Sequence, residues 1–186
     1  MPNQSRVTLD DVRDAALAVF ETGERLDMAQ LANSVGIGKA TLYRWVGSRE
    51  ELLSLTLVRL AEAAFDDAAL AVAELPGEQR FEAFAREYIK AIVSMESLAA
   101  FIRNEGPLAL RLITGRGGEV QRAVTGRLAS LLLAEEAAGT IELRAPVADL
   151  AYAMTRMTEG FIYNDRAAEV TPDVDSAVRI LMLLIK

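Results

Sequence analysis

The sequence contains no cysteine and no histidine among its 186 residues. Without cysteine the chain cannot form disulfides, which fits a reducing compartment such as the cytoplasm. Without cysteine and histidine, most nucleophile–base pairs and zinc sites are excluded. The Glu-x-x-His pairs of di-iron helical bundles are excluded for the same reason. We therefore expect no bound metal, no cofactor and no enzymatic activity.

Long hydrophobic stretches are also missing. The longest apolar run, residues 180–185, is far shorter than the roughly 20 residues that a membrane span requires. The sequence also lacks a basic start followed by an apolar run, which would mark a secretory signal. We therefore expect a cytoplasmic protein that makes no contact with a membrane.

Alternating runs of β-branched residues, which favour strands, are few. Apolar residues make up 52% of the chain, and alanine and leucine dominate them. This composition favours helices nearly throughout. The sequence thus predicts an all-α fold, with an N-terminal three-helix unit that contains a helix-turn-helix and a larger helical bundle behind it.

The stretch from residue 31 to residue 52 has the pattern of a helix-turn-helix. Gly36 supplies the tight turn after a first apolar helix face, and Ile37 is expected to insert back towards the core. In the next helix, Leu42 and Trp45 are three residues apart and point to the core. The opposite face carries polar side chains, namely Lys39, Thr41, Tyr43 and Arg44. In a helix-turn-helix protein this second helix enters the major groove of DNA.

The distribution of charge agrees with this interpretation, although the whole chain is acidic, with a net charge of −7. Between Asp27 and Glu50 there is no acidic residue, whereas Lys39, Arg44 and Arg49 are present. Phosphate binding requires local cations, and this window provides them. Spacing alone leaves a second interpretation open, in which a small helical hairpin merely carries solvated charges.

Residues 36–45 and 48–52, GIGKATLYRW and SREEL, resemble the DNA-binding domain of the TetR family of bacterial transcriptional regulators. The resemblance covers about residues 8–60. It implies that double-stranded DNA is a partner and that Lys39, Thr41 and Arg44 face the groove. Tyr43 and Arg49 would then contact the DNA backbone, while Ser48 would mainly cap the following helix.

Three segments are predicted along the chain: a helix-turn-helix domain in residues 1–48, a linking helix in 49–75, and a ligand-binding and dimerisation domain in 76–186. Ser48 and Glu51 form a capping box that begins the linking helix. Pro76 and Gly77 end it. Arg6, in a short N-terminal arm, could reach a phosphate.

Aromatic residues and methionines are sparse overall, yet several concentrate in the second domain. Helical bundles hold ligand cavities between facing helices, and such side chains suit an apolar small molecule. The predicted pocket residues are Phe84, Tyr88, Phe101, Asn104, Met154, Met157 and Phe161. The alternative is that they are ordinary core residues. An apolar or mildly polar effector, such as a lactone, an acyl compound or a drug, fits an acidic protein better than a polyanion does.

In the resembling family the last two helices pack against those of a second copy as a four-helix bundle. The residues predicted for this homodimer contact are Leu150, Ala153, Val178, Leu181, Met182 and Ile185. A dimer also suits the reading of a palindrome by two recognition helices.

The predicted function is that of a repressor released from a palindromic operator by a small molecule. Two alternatives stay open: a regulator controlled by a protein partner, and a helical interaction module that does not bind DNA.

Overall fold

The computed structural model of the chain describes residues 7–185, and of residue 78 only the backbone. Arg6 of the predicted arm lies outside these residues. The described residues form ten helices: α1 (Leu9–Glu21), α2 (Met28–Ser34), α3 (Lys39–Val46), α4 (Arg49–Ala71), α5 (Gly77–Val93), α6 (Glu96–Asn104), α7 (Gly106–Thr114), α8 (Glu119–Ala137), α9 (Val147–Ala167) and α10 (Val174–Met182). Extended backbone pairs there in a single isolated bridge, between Leu143 and Ile185. The all-α prediction is confirmed.

Side-chain caps begin the first two helices. The Thr8 side chain accepts a hydrogen bond from the Asp11 backbone N–H, and the Asp11 carboxylate accepts one from the Thr8 N–H, at 3.2 and 2.7 Å. Asp27 accepts from the backbone N–H groups of the second and third residues of α2. Each cap satisfies N–H groups that have no partner within the helix.

The turn between α2 and α3 forms as the sequence predicts. Gly36 has a φ of 74°, a left-handed conformation that glycine adopts without steric cost. The Ile37 N–H then donates to the Ala32 carbonyl, and the Ile37 side chain packs against the core. Leu42 is fully buried, and Trp45 packs against the same core.

Helix α4 is the longest helix that the structure describes, with 23 residues. The predicted capping box of Ser48 and Glu51 begins it. It ends at Ala71, four residues before the predicted end, in turns whose hydrogen bonds span three residues. The reason is Pro76, which has no N–H to donate to the Val72 carbonyl one turn back and whose ring would clash with that carbonyl in a helix.

The core is continuous from the N-terminal helices into the second half of the chain. Phe20 of α1 packs edge to face on Phe101 of α6, with ring centroids 5.6 Å apart. A second cluster, centred on Ile89, Leu132 and Met154, joins α5, α8, α9 and α10. The helices α1–α3, called the N-terminal unit below, therefore pack against α4 and α6.

The last helix begins at Val174, capped by the Asp173 side chain, and ends at Met182. Ile185 leaves the helix to form the bridge with Leu143. Across residues 7–185, every helix is too short or too polar to cross a membrane.

Candidate nucleic-acid interface and ligand cavity

The outer face of α3 carries the candidate DNA-contacting side chains. Lys39 and Arg44 are exposed, Tyr43 is 43% exposed, and Thr41 is half-buried. Within residues 7–185, neither Lys39 nor Arg44 makes an ion pair or a side-chain hydrogen bond. Their charges are therefore available to a ligand outside the chain, and four predicted residues lie together on one short helix.

The beginning of α3 is also open. Gly38 stands at its N-cap position and provides no side-chain acceptor for the first N–H groups. Such groups and the positive end of the helix dipole favour an anion. Ser48, by contrast, uses its Oγ to accept the Glu51 N–H at 3.2 Å, so the described contact is that of a helix cap.

The structure corrects the prediction for Arg49. Its Nε donates to the Leu26 carbonyl at 2.7 Å, and its two terminal nitrogens donate to the two Glu105 oxygens at 2.8 and 2.6 Å. The side chain is only 19% exposed. Arg49 is therefore turned inward and ties the start of α4 to the junction of α6 and α7. It does not present its charge to a phosphate.

A cavity of about 110 Å³ lies between α4, α5, α6, α7, α8 and α9. Four residues of α4 contribute to its wall: Leu57, Leu60, Ala61 and Phe65. The Phe65 ring packs on Phe84 with centroids 4.6 Å apart, and Phe84 stacks on Tyr88. A molecule in this cavity would thus touch directly the helix that carries the N-terminal unit.

One part of the cavity wall is polar. Glu159 is 12% exposed, and its Oε2 accepts a hydrogen bond from Arg156 Nη1 at 2.7 Å. Burial raises the pKa of the Glu159 carboxyl, against the lowering effect of Arg156. Burial, with the added negative charge of Glu159, also raises the pKa of the Tyr88 phenol. Tyr88 therefore keeps its proton at neutral pH and can donate a hydrogen bond.

The predicted pocket residues fall into three groups. Phe84, Tyr88 and Met154 line the cavity. Phe101 and Asn104 line a different cavity, of about 300 Å³, beside Arg49 and Glu105. Two others, Met157 and Phe161, pack against the second core cluster and do not line the cavity. Sequence spacing put all seven on apolar helix faces, but it did not show which faces meet.

Sequence reasoning missed the wall residues of α4, and it did not place Thr158 and Glu159 in the predicted pocket. A signal for Glu159 exists in the sequence, since this charged residue stands among apolar residues of α9. For α4 the signal is its breadth of apolar surface, because buried residues occur on more than one side of the helix. Such a helix must pack against partners on several sides.

The structure also corrects the residues chosen for the dimer contact. Leu150, Val178, Leu181 and Ile185 are buried in the core of the single chain, where they pack between α5, α8, α9 and α10. A side chain that is already buried cannot offer its surface to a second copy. Ala153 and Met182 remain partly exposed. The apolar residues of these helices were assigned to the dimer because the sequence does not show how much of them the fold itself covers.

The comparisons with known proteins agree with this architecture. A family model described as "Tetracyclin repressor-like, C-terminal domain" matches residues 76–186. The chain therefore belongs to the tetracycline-repressor-like, or TetR, family, whose members regulate transcription. A search of curated protein sequences finds no match.

Solved structures show the same fold over nearly the whole chain. The transcriptional repressor QsdR of R. erythropolis has 24% identity and a TM-score of 0.85, over 95% of this chain and 93% of that one. AlkX from Dietzia sp., a repressor implicated in the biodegradation of n-alkanes, has 21% identity and a TM-score of 0.63, over 94% and 98%. FadR of Bacillus halodurans, a fatty acid degradation regulator, has 17% identity and a TM-score of 0.62, over 98% and 97%.

Proposed function

We propose that the chain is a ligand-responsive DNA-binding repressor that acts as a homodimer on a palindromic operator. The observation that carries this proposal is the outer face of α3, where Lys39 and Arg44 are exposed and have no ion-pair partner within residues 7–185. Both side chains lie on one exposed helix face with Tyr43, in a stretch of the sequence, residues 28–49, that contains no acidic residue. As a regulator of the chromosome, it would act in the cytoplasm.

Each side chain of α3 has a role in this proposal. Lys39 and Arg44 read guanine edges or hold phosphates, and Thr41 lies between them in the groove. Tyr43 contacts the backbone. Ser48 contributes mainly as the cap that fixes the angle between α3 and α4. The open N-terminus of α3 adds N–H groups that favour a phosphate.

The effector half of the proposal rests on the cavity. A small apolar or mildly polar molecule that enters it contacts Leu57, Leu60 and Phe65 of α4, and α4 carries the N-terminal unit at its other end. A shift of α4 then changes the separation of the two N-terminal units in the dimer. The effector releases DNA only if it binds the released conformation more tightly than the DNA-bound one. A cavity enclosed by helices favours a small molecule over a protein partner as the signal.

Fluorescence anisotropy with labelled DNA from the upstream region of the gene, across a salt series, tests the DNA half. We expect binding that weakens steeply with salt, because each phosphate contact releases counterions. The double variant Lys39→Ala/Arg44→Ala should lose about a thousandfold in affinity, since two contacts are lost in each of two subunits and each costs about 1 kcal/mol.

A matched control removes two cations elsewhere. Arg116 and Arg144 are exposed, and neither makes an ion pair in the described part of the chain, so Arg116→Ala/Arg144→Ala changes the net charge equally. This control should bind DNA within about threefold of wild type, because distant exposed charges are largely screened. Equal losses in both double variants would point to unspecific charge attraction and would leave α3 with a structural role.

A further inference from the structure

The polar part of the cavity wall contains groups whose hydrogen bonds are already made. Thr155 donates to the Ala151 carbonyl at 2.8 Å and accepts from Thr125. Tyr163 donates to the Gly106 carbonyl at 2.9 Å. These two wall residues therefore offer little to a ligand, and they serve to hold α9 against its neighbours.

Other polar groups of the same wall can still form hydrogen bonds. The hydroxyls of Tyr88 and Thr158 and the Oε1 atom of Glu159 make no hydrogen bond to any residue in the range 7–185. The remaining wall is almost entirely aliphatic and aromatic. A ligand that supplies partners to these three groups gains hydrogen bonds that the chain itself leaves unmade. Two hydroxyls can donate or accept, while the carboxylate oxygen can only accept.

Charge restricts the ligand further. In the described part of the chain, Arg156 donates a hydrogen bond to Oε2 of the Glu159 carboxylate only, so Oε1 is free to accept one from a ligand. A ligand carboxylate or phosphate would place a second negative charge beside this group in surroundings of low dielectric constant. Like charges in such surroundings repel strongly. Free fatty acids and phosphate-bearing thioesters are therefore poor ligands for this site.

Building on the small-molecule site of the proposed function, we infer that the effector is an uncharged molecule with a short apolar body and a head group that donates a hydrogen bond to Glu159 and accepts one from Tyr88 or Thr158. A secondary amide combines both capacities in adjacent atoms. The volume of about 110 Å³ restricts the body to a short chain, since benzene alone occupies an apolar cavity of about 150 Å³.

Isothermal titration calorimetry with three compounds of one acyl chain tests this inference: N-methylhexanamide, methyl hexanoate and sodium hexanoate. We expect the amide to bind at least about tenfold more tightly than hexanoate at pH 7, because the repulsion between two anions in a poorly solvated site exceeds one decade in affinity. The ester, which accepts but cannot donate, should fall between them.

The variant Glu159→Gln removes the negative charge of the side chain and keeps nearly the same shape. It should bind hexanoate at least about tenfold more tightly than wild type does, because the repulsion is gone and the Arg156 charge is left unpaired. Its affinity for the amide should change little, since glutamine can still accept from the amide N–H. Glu142→Gln, an exposed position outside the cavity wall, should leave the ratio of amide to hexanoate affinity unchanged. Circular dichroism checks that both variants are folded.

The outcomes test the inference about the head group separately from the proposed small-molecule site. Equal affinity of wild type for hexanoate and amide, or an unchanged ratio in Glu159→Gln, would overturn the inference about the head group and leave the small-molecule site in place. Binding of none of the three compounds would overturn the inference together with the effector half of the proposed function. The anisotropy titrations test the DNA half independently of both results.

Discussion

The partner of Arg49 decides what this residue does. Its guanidinium forms two parallel hydrogen bonds with Glu105, the planar geometry in which arginine and carboxylate bind most strongly. Arg25 lies at the edge of the same carboxylate, at 3.8 Å and largely exposed. Because Arg49 is the first residue of α4 and Glu105 joins α6 to α7, this ion pair connects the start of α4 with the junction of α6 and α7.

Arg49→Ala should lower the free energy of unfolding by about 2–3 kcal/mol, since it removes charge-assisted hydrogen bonds and leaves a half-buried carboxylate without its main partner. Arg111→Ala is the matched control, because Arg111 pairs with Glu50 at the same end of α4 but both side chains are more than half exposed. We expect this control to cost less than about 1 kcal/mol. Urea denaturation measures both, and equal losses would contradict a special role for Arg49.

Glu159 gives a pH dependence of defined sign. Since burial raises its pKa above the ordinary 4.5, the folded protein binds more protons than the unfolded protein between the two pKa values. Stability therefore falls as the pH rises through that window. The free energy of unfolding of wild type minus that of Glu159→Gln should decrease when the pH is raised from about 4 to 7. Urea unfolding at several pH values tests this.

Glu135 serves as a control, because its effect on the pH dependence of stability should have the opposite sign. Burial acts to raise its pKa, but the hydrogen bonds from Arg80 and Thr140 outweigh burial and lower it. The corresponding difference for Glu135→Gln should thus increase with pH, because a lowered pKa gives stability that is lost on acidification. Two differences with the same slope would show that the pH dependence reflects the net charge of the molecule and not the two sites.

At the scale of the helices, the junction of α3 and α4 determines how the candidate DNA-contacting face is held. Gly47 has a φ of 68°, a conformation that residues with a Cβ rarely adopt. An added Cβ would lie 2.0 Å from Glu51 Oε2, which also accepts the Ser48 N–H. The glycine and the capping box therefore depend on each other, and together they set the angle between the two helices.

Gly47→Ala should destabilise the protein by about 1–3 kcal/mol through backbone strain and should weaken DNA binding. Gly126→Ala, in the interior of α8 with open space around the added methyl group, should stabilise it by about 0.5–1 kcal/mol. Thermal unfolding and DNA anisotropy measure both variants. A neutral Gly47→Ala would mean that the chain can relax at this junction.

Helix α4 links the two candidate sites mechanically. Its 23 residues span about 35 Å at 1.5 Å per residue. The capped end carries Arg49 and the junction with α3, while Leu57, Leu60 and Phe65 lie on the cavity wall. In the proposed mechanism, a displacement at the wall is transmitted along this continuous helix to the N-terminal unit, and the ion pair of Arg49 and Glu105 couples the start of α4 to α6 and α7.

For the whole molecule, the proposed homodimer requires an exposed apolar surface. The large apolar side chains that remain exposed on α8 and α9 include Leu133, at 50%, and Tyr152, at 40%. They lie near the end of α8 and the start of α9, two helices that pack against each other. Exposed apolar side chains on neighbouring helices favour association, since their burial removes apolar area from water.

We predict that Leu133→Asp/Tyr152→Asp gives a folded monomer, because two charges would be placed in an otherwise apolar contact. Leu70→Asp is the control, since Leu70 is more exposed, at 77%, and lies on α4. Sedimentation equilibrium measures the state of each variant. A dimer that survives the double substitution would assign the contact to another surface, and a monomeric wild type would remove the dimer from the proposal.

The sequence by itself determined the helices and their local signals. The turn at Gly36, the capping box of Ser48 and Glu51 and the polar outer face of α3 all depend on residues within four positions of each other, so spacing predicts them. The predicted all-α fold and TetR family follow from the same local patterns. The end of α4 was less well predicted, because a proline competes there with helix propensity.

Only the tertiary structure decided which helix faces meet. Arg49 finds Glu105 at a distance of 56 residues along the chain, and no local pattern specifies such a partner. The same applies to Phe101, which lies beside a second cavity, and to Leu150 and Val178, which the fold buries in its own core. A pattern of apolar residues along one helix face indicates that these residues will be buried. What covers it, whether the chain itself, a ligand or a second copy, is settled by long-range packing.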